Sequence, residues 1–127
     1  MGIDDIRSKL KSAVQEVNRQ CPKPISTTIT MEGATYDGRA WIYLYTLHED
    51  SIITLENEDL IGQISIGLKE SHRSKLTSST SMESMMEALE RTQSTLVYRY
   101  KGDRSGHQLD VMFTPQELAD MRRAIHP

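Results

Sequence analysis

The chain has 127 residues, a formal net charge of −3 and a mean hydropathy of −0.51. A hydrophobic fraction of 37% beside a charged fraction of 26% is typical of a folded domain, and we expect one α+β domain over residues 1–127. No stretch approaches the roughly 20 apolar residues of a membrane helix. The acidic balance argues against a dedicated nucleic-acid binder, which usually carries a basic face.

The start of the chain leaves two cellular locations open. The segment Met1-Gly2-Ile3-Asp4-Asp5 has no basic region followed by an apolar stretch, so it does not predict a signal peptide. A Met-Gly start is also common where a natural leader has been replaced. We therefore expect a periplasmic or envelope-associated protein if a leader was removed, and a cytoplasmic protein otherwise.

The first elements are a helix and a β-hairpin. Apolar residues at helical spacing predict an amphipathic helix that ends near Gln20, because the prolines at 22 and 24 cannot continue it: Ile6, Leu10, Val14 and Val17. From Ile25 to Leu47 the pattern changes to period two around Asp37-Gly38, a strong hairpin signal. Residues 41–47 are apolar on both faces, which predicts a central strand covered at least in part on both sides.

The middle of the chain favours helices. Residues 51–56 fit either a short third strand or the start of a helix, since short apolar runs do not separate the two. Residues 58–76 have helical spacing despite two glycines. After a polar break, Ser81 is expected to N-cap another helix, whose apolar positions are Met82, Met85, Met86 and Leu89.

A second hairpin is predicted from Thr95 to Phe113, around residues 102–106. Thr114-Pro115-Gln116-Glu117 has the cap, the proline and the glutamate of a capping box, so a final helix begins there. The fold class that follows is α+β, with an antiparallel sheet of about four strands formed by two hairpins. The N-terminal, central and C-terminal helices are expected to pack mainly on one face of it.

Three short motifs carry a family resemblance. They are Val17-Asn18-Arg19-Gln20-Cys21-Pro22, Tyr43-Leu44-Tyr45-Thr46-Leu47, and Val97-Tyr98-Arg99-Tyr100 with the later Phe113-Thr114-Pro115. On these motifs the chain resembles a family of small, uncharacterised bacterial exported or lipoprotein-like proteins, with a helix ending in Asn-x-Gln-Cys-Pro and a Tyr-rich strand pair. Members with a second cysteine could form a disulfide, for which Cys21 has no partner here. The resemblance implies an exported or envelope protein and brings no established activity.

No catalytic residue, metal ligand or cofactor is predicted. The four histidines lack the spacing of a zinc site: His48, His72, His107 and His126. In His48-Glu49-Asp50 adjacent side chains point to opposite sides, which favours a solvated strand end over a metal site. Ser105, His107 and Asp110 do not predict a catalytic relay, because positions 107 and 110 fall on opposite faces of a strand. The glycines of residues 102–106 are expected to form a hairpin tip.

The tyrosines are the residues we single out for binding. Tyr43 and Tyr45 share one face of the first hairpin, and Tyr98 and Tyr100 share one face of the second. Core packing with cross-strand pairing is the favoured interpretation, and an exposed aromatic face for a peptide or glycan is the alternative. For the methionines, core packing is likewise favoured over an adaptable binding groove: Met82, Met85, Met86, Met112 and Met121.

Three classes of function remain open. We expect a non-enzymatic binding or structural domain of a bacterial exported or envelope protein, with a protein or peptide partner and room for a homodimer. The alternative is a small, acidic, dimeric cytoplasmic secretion chaperone, which is supported only by the size, the charge and the order of the elements. The third is an enzyme, which would need His107 or His48 to meet a carboxylate in a pocket.

Overall fold

The computed structural model describes residues 2–126. Helices and strands follow one another in this order: α1 Ile3–Arg19, β1 Lys23–Pro24, β2 Ile29–Tyr36, β3 Ala40–Leu47, α2 Glu58–Ser78, α3 Thr80–Arg91, β4 Thr95–Gly102, β5 Gln108–Phe113 and α4 Pro115–Ile125. Within residues 2–126, no helix has both the length and the apolar composition needed to cross a membrane.

The strands form one mixed sheet in the order β1-β2-β3-β4-β5. Neighbouring strands are antiparallel except at the centre, where β3 and β4 run parallel. The α+β class is confirmed, but the purely antiparallel sheet of about four strands is wrong. A turn fixes strand direction only inside its own hairpin, so the direction in which two hairpins join is free. Here α2 and α3 form the long crossover that a parallel pair requires, and β1 is too short to show a period of two.

The N-terminal helix ends where the prolines predict, at Arg19, and the Cys21–Pro22 peptide that follows is cis. The long strand of the first hairpin begins at Ile29 rather than at Ile25. Residues 25–28 form a turn instead, in which Ser26 Oγ accepts the N–H of Ile29 at 3.2 Å. Serine side chains compete with strand pairing in this way, and the period-two pattern does not reveal it.

Asn18 joins α1 to the outer side of β2. Its Nδ2 donates to the carbonyl of Ala34 at 3.0 Å, and the N–H of Ala34 donates to its Oδ1 at 2.7 Å. The side chain passes so close to the neighbouring backbone that a Cβ at Gly33 would lie 2.6 Å from Oδ1. The asparagine of the helix-end motif therefore links α1 to the sheet, and any larger residue at position 33 would displace the Asn18 side chain from these hydrogen bonds.

The helices cover one face of the sheet. Apolar side chains of all four helices cluster with the sheet face that bears Trp41, Tyr98 and Phe113. The largest fully buried side chains lie in this layer: Trp41, Leu76, Met86, Leu89, Leu96, Phe113 and Leu118. On the opposite face Arg99 and Asp110 sit directly across from each other and form a two-pronged ion pair at 3.0 and 3.1 Å. The central strand β3 is buried on the helix side and half-buried on the other.

Residues 51–56 are neither strand nor helix. Asp50 Oδ1 accepts the N–H groups of Ile52 and Ile53 at 2.8 and 2.6 Å, which closes a tight turn. Leu55 then enters the core and is 2% exposed. Ile52 is 76% exposed, so the apolar residues that made the segment ambiguous in the sequence do not form one buried side.

The N-cap predicted for α3 is wrong, whereas the one predicted for α4 is confirmed. Helix α3 begins at Thr80 after Ser79, so the N-cap predicted at Ser81 is wrong. Several adjacent serines and threonines offer the same cap chemistry, and the sequence does not choose among them. In α4 the capping box is confirmed, since Thr114 Oγ1 accepts the N–H of Glu117 at 3.1 Å and Glu117 Oε1 accepts the N–H of Thr114 at 3.3 Å.

Glu49 is a buried carboxylate at the end of β3, with 5% of its surface exposed. Its Oε1 accepts the N–H groups of Arg104 and Ser105 at 3.0 and 2.8 Å. Its Oε2 accepts the N–H of Leu55 at 2.7 Å and the hydroxyl of Thr54 at 2.9 Å. The solvated strand end expected at this position is therefore wrong for Glu49, which ties together β3, the 50–56 loop and the tip of the second hairpin.

The surroundings of Glu49 favour its charged form. A Cβ at Gly102 would lie 2.1 Å from Oε1, so only glycine lets the hairpin tip approach this closely. Burial by itself raises the pKa of Glu49, but the hydrogen bonds from Ser105 and Leu55 outweigh burial and lower the pKa to about 2. The carboxylate therefore stays ionised at neutral pH.

We expect Glu49→Gln to lower the free energy of unfolding at pH 7 by about 2–3 kcal/mol, because an amide N–H₂ would face donors that now meet an oxygen. The folded-state pKa lies below the ordinary value of 4.5. The stabilisation is thus present above pH 4.5 and is lost as the pH falls towards 2. Urea unfolding at pH 7 and at pH 3 should show the difference shrinking in acid. The exposed Glu56→Gln is the matched control, and equal stability of both variants would contradict the role of Glu49.

Candidate functional site

The four tyrosines singled out in the sequence come together on the helix-covered face. The ring of Tyr43 stacks on that of Tyr98 with centroids 5.3 Å apart, and Tyr45 stacks on Tyr100 at 4.9 Å. All four side chains are at least nine-tenths buried. The helices lie over this face, so the tyrosines do not form an open aromatic surface. Their binding role stays a prediction, and it now concerns two clefts between the helices and the sheet.

The first cleft, here called the helix cleft, opens between α1 and α3 and has a volume of about 460 Å³. Trp41 and Tyr43 of β3 form its floor. Its walls are almost wholly apolar and include Leu10, Ala13 and Val17 of α1 with Met82 and Met85 of α3. The volume falls within the range of ligand-binding clefts, and the flexible methionine side chains allow the wall to adjust to what enters.

The polar groups of the floor are poorly satisfied. The Nε1–H of Trp41 is buried and has no hydrogen-bond partner among the described residues. The hydroxyl of Tyr43 donates to Met85 Sδ at 3.6 Å, a weak acceptor. Burial raises the pKa of Tyr43 to about 12, so this hydroxyl keeps its proton. The floor therefore offers donors and no charge.

The rim of the helix cleft is charged. Glu87 of α3 is shared between Arg91 at 3.3 Å and Arg122 at 3.6 Å. Lys9 of α1 lies at the opposite rim and forms no ion pair with any of the residues described. The α1 side of the rim thus carries an uncompensated positive charge.

The second cleft, here called the tyrosine cleft, lies between the C-terminal half of α2 and the sheet and has a volume of about 430 Å³. All four tyrosines line it. Its apolar wall includes Ile29, Met31 and Leu68, and Lys75 is the one charged residue among its described lining residues. Tyr43 and Met82 line both clefts, so the two adjoin at these side chains.

His72 is buried against the tyrosines. Its ring stacks on Tyr98 with centroids 3.6 Å apart, and its Nε2 shares a hydrogen bond with the hydroxyl of Tyr100 at 2.5 Å. Burial, aided by the nearby positive charge of Lys75, lowers the pKa of His72 to about 4. The imidazole is therefore neutral at pH 7.

The other polar groups weighed in the sequence do not form a reactive set. The ring of His48 contacts Asp103 at 3.2 Å and Thr30 at 2.8 Å, in an exposed position outside both clefts. The hydroxyl of Ser105 donates to Glu49 rather than to His107, so no relay forms. Within residues 2–126, no group of three potential metal ligands converges, and the free Cys21 is half-buried.

Sequence reasoning favoured core packing for the methionines and did not single out His72, so it missed part of the lining of the two clefts. Met82 and Met85 are half-buried cleft walls, whereas Met86 is in the core as expected. Helical spacing puts Met82, Met85, Met86 and Leu89 on one stripe of α3, so the sequence carries no signal that separates the cleft wall from the core. His72, at a period-four position with Leu68 and Leu76, could have been placed on the buried side of α2.

We expect the wild-type free energy of unfolding to fall by about 2 kcal/mol between pH 7.5 and pH 5 through His72. The folded-state pKa of about 4 lies below the ordinary 6.5, so the unfolded chain takes up the proton first and stability declines as the pH falls from 6.5 towards 4. In His72→Phe this part of the pH dependence should disappear. The exposed His107→Phe should keep it, and urea titrations at the two pH values make the comparison. An unchanged dependence in His72→Phe would contradict the assignment.

Comparison with solved structures finds the same fold at low sequence identity. A "putative secreted protein" of Pseudomonas aeruginosa superposes with a TM-score of 0.67 and 12% identity, over 90% of this chain and 93% of that one. A pilotin from the type 2 secretion system of Vibrio vulnificus superposes with a TM-score of 0.66 and 8% identity, over 91% of this chain and 93% of that one. At these identities the likeness establishes the fold and nothing more.

No curated protein matches the chain. The resemblance to uncharacterised proteins is confirmed in its coarser part, because the match found is to a family without a known function. A family model described as "Domain of unknown function (DUF8479)" matches residues 6–109, which include both tyrosine-bearing strands and most of the helices around the clefts. Since this match spans most of the sequence, the chain belongs to the DUF8479 family.

Proposed function

We propose that this chain is a non-enzymatic protein-binding domain of the bacterial cell envelope. Its partner is an amphipathic helical segment that docks in the helix cleft. The observation that carries the proposal is the cleft itself, an apolar channel of about 460 Å³ between two helices, with an aromatic floor and methionine walls. A groove between helices with flexible apolar walls is the form in which proteins recognise the apolar face of a helix.

The rim indicates the charge of the partner. Glu87 is neutralised by two arginines, whereas Lys9 is free of ion pairs within the described residues. A partner helix with a carboxylate beside its apolar face would place that charge against Lys9. Such rim charges affect the rate and selectivity of association more than the affinity, so the apolar contacts supply most of the binding.

The structural neighbours support the general role. One is a pilotin of a secretion system and the other has been described as secreted, which agrees with the envelope location implied by the family resemblance. The pilotin is part of a type 2 secretion system, and a partner-binding cleft on the same fold suits a similar setting. We extend this general role, not any particular partner, to the present chain.

Two designed helical peptides test the occupant of the helix cleft. Both have the same face of Leu and Ala, and the polar face carries Glu in one and Lys in the other. We expect the acidic peptide to bind with an affinity roughly tenfold higher than the basic one, as measured by calorimetry. Ala13→Trp, at an exposed position on the cleft wall, should block both peptides by filling the cleft.

The control for this experiment is Ala124→Trp, which adds the same side chain at an exposed position of α4 outside the cleft. It should leave both affinities unchanged. If neither peptide binds the wild type, or if Ala13→Trp binds as well as Ala124→Trp does, the helix cleft is not a docking site for a helix and the proposal fails.

Cell fractionation tests the location and separates the proposal from the chaperone alternative. We expect the natural protein, detected through a C-terminal tag in its own bacterium, to occur in the periplasmic or membrane fraction. Light scattering of the purified protein should give a monomer. A cytoplasmic protein that purifies as a stable dimer would overturn the envelope role and support the secretion chaperone instead.

A further inference from the structure

Two hydroxyl groups in the tyrosine cleft are free to donate within the part of the chain that the structure describes. Tyr45 and Tyr98 are 9% and 6% exposed, and both line the cleft. Neither hydroxyl forms a hydrogen bond with any of the described residues, whereas the hydroxyl of Tyr100 is bound to His72. Both residues line the cleft, so their hydroxyls are free to donate to an acceptor that enters it.

The charges around the cleft select an anionic acceptor. Lys75 is the one charged lining residue within the described chain, and no carboxylate lines the cleft beside it. The field of Lys75 reaches inwards, because it contributes to the lowered pKa of His72, which stacks on Tyr98. Burial raises the pKa of Tyr45 and of Tyr98, so both hydroxyls keep their protons and donate.

The rest of the cleft requires an apolar body. The apolar residues that line the cleft include Ile29, Met31, Leu68 and Met82, and the lining residue Ile25 is 46% exposed. A volume of about 430 Å³ accommodates a small molecule. An occupant with a charged end and a long apolar chain satisfies the donors and covers the apolar wall at the same time.

We propose that the tyrosine cleft binds a fatty-acid-like carboxylate, with the carboxylate at the hydroxyls of Tyr45 and Tyr98 under the field of Lys75, and the alkyl chain along the apolar wall. This site is distinct from the helix cleft and does not depend on a protein partner. Because Tyr43 and Met82 line both clefts, an alkyl chain in the tyrosine cleft would also contact the side chains that separate the two.

Calorimetry with dodecanoate, below its micelle concentration and at pH 7.5, tests the site. Dodecyltrimethylammonium has the same chain and the opposite charge, and we expect dodecanoate to bind roughly tenfold more tightly. Tyr98→Phe and Tyr45→Phe should each weaken dodecanoate binding by about tenfold, since each removes one donor to a charged acceptor. Lys75→Met should abolish the preference for the anionic head group.

Three comparisons keep the test decisive. Tyr98→Phe should melt at the same temperature as the wild type or higher without ligand, because it removes an unpartnered hydroxyl; this distinguishes lost binding from lost folding. Lys11→Met, an exposed lysine on α1, should not change dodecanoate binding. Lys9→Met reports on the helix cleft. The proposal is overturned if dodecanoate does not bind, if both amphiphiles bind equally, or if Lys9→Met weakens binding and Lys75→Met does not.

Discussion

At the centre of the sheet β3 and β4 run side by side in the same direction, so the chain must travel back along the whole sheet before β4 can begin. Helices α2 and α3 make that return, and with α1 and α4 they lie over a single face. The same pairing sets Tyr43 beside Tyr98 and Tyr45 beside Tyr100. The stacked aromatic side chains and the helices that cover them thus both result from the parallel pairing of β3 and β4. The two clefts lie where the helices do not pack fully against the sheet.

Because β3 and β4 are parallel, their C-terminal ends lie side by side at the same end of the sheet. The chain leaves β3 for the 50–56 loop at the end where β4 turns into the second hairpin, and Glu49 holds both. A carboxylate suits this position because it has several acceptor sites and the loops offer several unpaired N–H groups. Glu49 thus holds the 50–56 loop and the tip of the second hairpin together at this end of the sheet. Its carboxylate oxygens are occupied by these hydrogen bonds, and Glu49 lines neither cleft.

Features set by a few neighbouring residues could be predicted from the sequence, and features set by distant contacts could not. The end of α1 before Pro22, the turn at Asp37-Gly38 and the capping box of α4 belong to the first kind. The direction in which the hairpins join does not, because either direction buries the same alternate residues. Glu49 has the same local pattern whether it is solvated or buried, and its partner Arg104 lies 55 residues later in the chain. The clefts depend on the spacing of whole helices, which no local pattern encodes.

Asn18 has a further consequence for how this sheet meets other chains. An exposed strand edge invites pairing with a strand of another molecule, which leads to aggregation. A side-chain amide has the same donor and acceptor as a peptide group, and at Ala34 it occupies both backbone positions that an incoming strand would use. The Asn18 side chain at the end of α1 therefore takes the place that one residue of a further strand would occupy beside Ala34. This contact hinders pairing of another strand with β2 at Ala34, a position that β1, only two residues long, does not reach.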